Sequence, residues 1–130
     1  MSKWEELDVE NKLIVILREA EGHPAEHHFG TPFLTAYQIA IAFAQRHPSD
    51  IQSLGFPVGG EGIGQRNSLA QYLAKELSRR IHNGSIRNIE GRFLSNQFLE
   101  QISFHFGEEL IVSSLTNTQF PLSMFRLLET

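Results

Sequence analysis

The stretch 67–84, NSLAQYLAKELSRRIHNG, decides the reading of this chain, because it segregates charge as well as apolarity by face. At 100° per residue, Leu69, Ala70, Leu73, Ala74, Leu77 and Ile81 fall on one side of a helix. The opposite side carries Gln71, Lys75, Ser78, Arg79 and His82, with Tyr72 at its edge. Ser68 and Gln71 supply the start signal, and Asn83-Gly84 supplies a pair suited to left-handed termination. Such a helix anchors in a core while presenting a basic, hydrogen-bonding surface.

Charge along the chain isolates this segment further. Residues 1–30 hold seven acids against three bases, and residues 93–130 are again acidic. Residues 66–92 hold six bases (Arg66, Lys75, Arg79, Arg80, Arg87 and Arg92) against Glu76 and Glu90. A basic middle therefore sits inside a chain whose net charge is −4. Local excess matters more than the sum for binding an anionic partner.

Upstream, Ser2 and Glu5 form a capping-box pair ahead of the apolar run Leu13–Leu17, which predicts a helix from about residue 3 to 20. The same run, LIVIL, also suits a buried strand. Thr35 and Gln38 make a second capping box, with Leu34 and Ile39 as a hydrophobic staple, and predict a helix from Ala36 to about Arg46. Pro48 stops it. Residues 49–54 fit a single helical turn, and the glycine-rich remainder up to Arg66 reads as loop.

Beyond residue 92 the period changes from 3.6 to 2. Ile102, Phe104 and Phe106 alternate, Gly107-Glu108 suits a type II′ turn, and Leu110, Val112 and Ser114 alternate on the return. Met124–Leu128 reads as a third strand, and 95–101 fits either a short helix or a strand. Phe104 and Phe106 are expected in the core, with Phe98 and Phe120 left open.

The expected fold is a single α+β domain, residues 1–130, with helices first and a small antiparallel sheet after them. This order of elements resembles a winged helix-turn-helix domain over roughly residues 3–115. LTAYQIA would open its second helix and NSLAQYLAKELSRR would form its third. The resemblance implies duplex DNA as partner and a nucleic-acid-binding set of Arg66, Gln71, Lys75, Arg79 and His82. Two features depart from the pattern: about twenty residues join the second and third helices, and Glu108 and Glu109 occupy the tip of the wing. The alternative is the same fold serving as a protein-interaction or oligomerisation module. Its contact would then be the acidic Glu5–Glu10 face or the phenylalanine-rich sheet.

Other chemistry has little footing. Gly59, Gly60, Gly62 and Gly64 precede a helix, but neither established phosphate-loop spacing is present, and Glu61 opposes an anion. His23, His27 and His28, with Glu21 and Glu26, supply donors for zinc or nickel, yet Gly22, Pro24 and Gly30 mark the segment as an exposed loop. With no cysteine, thiolate and disulfide chemistry is excluded. No G-x-S-x-G or H-E-x-x-H occurs. Catalysis and cofactors are therefore not expected. The acidic start lacks the apolar core of a leader, and no apolar run approaches membrane-spanning length, so a cytoplasmic chain is expected.

Overall fold

Five helices and two small antiparallel sheets make up the computed structural model, which describes residues 2–20, 27–58, 68–99, 101–114 and 122–128. The first expected helix is in fact two, α1 (Lys3–Glu6) and α2 (Val9–Arg18). Ser2 Oγ accepts from Glu5 N–H, as the capping pair requires. The chain then breaks at Asp8, whose φ of 52° is left-handed. Aspartate tolerates that region better than most residues, and its carboxylate takes a hydrogen bond from Asn11 Nδ2. The break lets Trp4 on α1 and Val9, Leu13, Ile16 and Leu17 on α2 all point inward.

Helix α3 (Ala36–Arg46) carries both halves of its capping box: Thr35 Oγ1 accepts from Gln38 N–H, and Gln38 Oε1 accepts from Thr35 N–H. It buries Ile39, Ala40 and Phe43. Helix α3 ends at Arg46, as expected ahead of Pro48, and Pro48 itself starts α4 (Pro48–Leu54), a longer helix than the single turn expected. His47 closes one helix and opens the next. Helix α5 (Leu69–His82) completes the layer, with Leu69, Leu73 and Leu77 fully buried against α3.

The main sheet was only partly visible in the periodicity. Strand β1 (Leu34–Thr35) immediately precedes α3, and β2 (Ile89–Leu94) follows α5 before the expected change of period. Strand β5 (Leu122–Leu127) lies between them, antiparallel to both. Phe125 is buried at its centre, opposite Leu34 on one side and Gly91 on the other. A Cβ at Gly91 would lie 3.2 Å from the Phe125 ring, so glycine leaves the ring its place.

Strands β3 (Gln101–Phe106) and β4 (Glu109–Ser114) form a separate two-stranded sheet joined through Gly107 and Glu108. Gly107 has a φ of 60° while Glu108 stays out of the positive region, in keeping with a type II′ turn. Phe104 and Phe106 are only half-buried, not core residues as expected. Two strands cannot cover both faces of a ribbon, and Phe104 instead stacks on Tyr37 of α3 with ring centroids 5.2 Å apart. Residues 95–99 are neither helix nor strand but a turn, with Leu99 N–H donating to Asn96 O.

Two charged clusters tie the layers together. Arg126 on β5 bonds Glu90 Oε1 at 2.7 Å and the Phe29 carbonyl at 2.6 Å, and its guanidinium lies over Phe33. It thus clasps the segment before β1 to the sheet. Lys12 on α2 meets Asp50 on α4 at 2.6 Å, with both side chains largely covered. His47 sits beside this pair. Desolvation, then the Lys12 charge, hold its pKa below 6.5, outweighing the opposing pull of Asp50. Because the folded pKa lies below the unfolded value, the unfolded chain takes the proton first as pH falls. This contribution to stability is intact above about pH 6.5 and is lost as pH falls through that value toward the folded pKa. Urea midpoints measured at pH 8 and pH 5.5 should show a smaller acid loss for His47→Gln than for the natural chain. Equal losses would mean that His47 does not couple folding to protons.

Candidate nucleic-acid interface

The amides that open α5 are all engaged. Leu69 N–H donates to Pro57 O, Ala70 N–H to Val58 O, and Gln71 N–H to the Ser68 hydroxyl. A helix N-terminus attracts anions through free N–H groups, and here the first three are taken. The glycine stretch 59–64 lies outside the described residues. Any binding through α5 therefore falls to its side chains.

These divide by face as the 3.6-residue period predicts. Gln71, Lys75, Ser78, Arg79 and His82 are exposed, opposite buried Leu69, Leu73 and Leu77. Gln71, Lys75, Ser78 and Arg79 follow one another at helical spacing along a single solvent face, and His82 extends it by one turn. Arg66 lies outside the described residues. Lys75 has no ion-pair partner among them, so its ammonium is available.

Glu76 organises the flank of this surface. Its carboxylate meets Arg79 Nη2 at 2.6 Å and lies 3.3 Å from Arg80 Nε. The Arg80 contact lacks hydrogen-bond alignment and acts as charge proximity alone. Arg80 is mostly covered, with its guanidinium 4.8 Å above the Trp4 ring, so it fastens α5 to α1 rather than facing solvent. Tyr72 completes this wall, stacked on Phe56 and tilted against Trp4. Burial first, and the Glu76 charge second, push its phenol above the usual value, so it stays a hydrogen-bond donor at neutral pH. Arg79 keeps a largely exposed side chain despite its partner. An ion pair at an exposed position contributes little stability and yields readily to a phosphate.

The surroundings are mixed in sign. Arg87 and Arg92 are exposed on the chain that leaves α5, whereas Glu108 and Glu109 mark the hairpin tip. Large apolar side chains also face solvent: Phe98 is 95% exposed, Phe29 74%, and Leu110 67%. The proximity of Glu76 to Arg79 and Arg80 follows from their spacing of three and four residues, whereas the packing of Arg80 on Trp4 was not legible, because Trp4 comes from a distant part of the chain.

The histidine loop offers less. The His27 and His28 rings lie against each other at a tilt and meet Phe29 edge to face, and His27 Nδ1 accepts from Phe29 N–H. His23 lies outside the described residues, among which no group of three or more metal-ligating side chains comes together. No helix among them is long and apolar enough to cross a membrane. Comparison of the chain with family models, curated proteins and solved structures yields no match.

Proposed function

We propose that this chain is a winged-helix-like domain that binds duplex DNA through the solvent face of α5. The observation that carries this reading is the exposed row Gln71, Lys75 and Arg79 on a helix whose opposite face buries Leu69, Leu73 and Leu77. Two features of the architecture support it. The short β1 enters the sheet beside β5, in the order β1-β5-β2, and in the chain the β3–β4 hairpin falls between β2 and β5, where the wing of such a domain is expected. Lys75 and Arg79 meet phosphates, Gln71 offers the paired donor and acceptor that suit an adenine edge, and Arg66 and His82 extend the contact at either end. The same proposal places the protein in the cytoplasm.

A second reading rests on a different observation. Exposed Phe98 and Leu110, together with the acidic hairpin tip, suit a protein-interaction or oligomerisation module of the same fold. Fluorescence anisotropy with mixed-sequence duplexes at about 50 mM salt separates the two. The DNA reading expects binding by tens of micromolar protein, with log K falling against log salt at a slope of about −3 to −4.5. Lys75→Ala should flatten that slope by about one unit on every sequence, whereas Gln71→Ala should mainly relax base preference. Absence of binding at that concentration overturns the DNA reading.

A further inference from the structure

Strand β2 is the outer strand of its sheet, and among the described residues no strand lies beyond it. Leu128 N–H donates to Asn88 O at 2.8 Å, which makes 88 and 128 a hydrogen-bonded pair of the ladder. Such pairs alternate in an antiparallel sheet, so Glu90–Arg126, Arg92–Met124 and Leu94–Leu122 belong to the same class. Ile89, Gly91 and Phe93 consequently direct their N–H and C=O groups away from β5, toward the open edge. The opposite side of β5 agrees with this parity, since the Leu127 carbonyl accepts from Thr31 Oγ1 there.

We propose that this edge pairs antiparallel with β2 of a second copy, with Gly91 on the two-fold axis. New hydrogen bonds can join only the outward residues, and this restricts the register. Two registers allowed by parity overlap five residues of the strand. One, centred on Arg92, sets that arginine against its own copy. The other, centred on Gly91, sets Glu90 opposite the second copy's Arg92 at both non-hydrogen-bonded positions, where side chains approach most closely. Centring on Glu90 shortens the overlap and opposes two carboxylates. Opposite charges across a pair stabilise and like charges destabilise, so charge selects Gly91.

Arg92 and Phe93 supply the exposed side of this contact, whereas Glu90 is largely covered and Ile89 is buried in the core. The Arg92 side chain is 65% exposed while already 2.7 Å from Glu90, so pairing across the axis extends an existing contact into a closed ring of two glutamates and two arginines. Phe93 is 66% exposed and comes to lie opposite Ile89 of the second copy, an aromatic against a β-branched side chain. No proline interrupts the strand, and its register with β5 is continuous. An unblocked edge of this kind templates another strand. The pairing stands apart from the DNA reading and survives its failure.

Sedimentation velocity on the full chain from about 10 to 500 µM tests it. The natural chain should show concentration-dependent dimerisation that weakens with salt, and Arg92→Glu should weaken it about tenfold or more. Glu90→Arg alone should also prevent dimerisation, but an equimolar mixture of the two variants should restore it, because opposite charges then meet at both positions. Glu90→Arg removes the partner of Arg126 and so risks the fold. Arg92→Cys provides a second measurement in a chain with no cysteine of its own. The Gly91-centred register places the two introduced thiols diagonally, about 7–8 Å apart, where a short bismaleimide should cross-link them. A chain that stays monomeric throughout this range overturns the proposal. So does a dimer that ignores Arg92→Glu and gives no cross-link at position 92.

Discussion

Phe43→Ala should destabilise the protein by about 3–5 kcal/mol, the largest loss expected from any single truncation described here. Phe43 is fully buried on α3, within the cluster that includes Leu13, Leu17, Ile39 and Leu77. Removing its ring forfeits transfer free energy and leaves a void that helices pinned at both ends cannot close. The Thr35–Gln38 capping box holds one end of α3, and the His47–Pro48 junction fixes the other. Phe98→Ala is the matched control. That side chain is 95% exposed, so its truncation should change stability by no more than about 0.5 kcal/mol. Phe98→Gly should be neutral or stabilising, because a φ of 64° strains a bulky residue and costs glycine nothing sterically. Urea denaturation of the three variants tests the ranking. A loss below about 1 kcal/mol for Phe43→Ala would mean that the wrong face of α3 has been placed inside.

What could be read in advance follows from how local each signal is. The Thr35 capping box and the apolar stripe of α5 are encoded within a few residues of themselves, and both appear in place. The hairpin around Gly107 was legible for the same reason. Strand β2 was not. Of its core-facing positions only Ile89 is buried, Gly91 has no side chain, and Phe93 overhangs the edge, so IEGRFL shows no clean alternation. Two-residue β1 is too short to carry any period, and it exists because β5 offers it a partner. The division of the N-terminal helix likewise depends on tertiary gain: Asp8 accepts a left-handed conformation so that Trp4 can reach Arg80 and Tyr72. In the candidate interface, the exposure of Gln71, Lys75, Arg79 and His82 follows from helical periodicity. The diversion of Arg80 into packing does not, because it requires the ring of Trp4, far away in the chain.

Reversing two charges on α5 should have the largest effect on function. Lys75→Glu combined with Arg79→Glu changes the local charge by four units without touching the buried face that holds the helix in place. An exposed charge within about 4 Å of a phosphate contributes on the order of 1 kcal/mol in water, and reversal replaces that attraction with a comparable repulsion. Duplex affinity at about 50 mM salt should therefore fall roughly a hundred- to a thousandfold. Two contacts should also disappear from the salt dependence, flattening the log–log slope by about two units. The variant places two further carboxylates near Glu76 and removes the partner that Arg79 provides. That costs the helix a few tenths of a kcal/mol, which a thermal melt followed by circular dichroism will register without unfolding. The interaction-module reading expects the reverse pattern. There, duplex binding is absent in the natural chain, and any partner held through Phe98 and Leu110 ignores the two substitutions. Duplex binding that persists unchanged in the double variant would remove α5 from the interface altogether and shift attention to the exposed bases that follow it in the basic segment, Arg87 and Arg92.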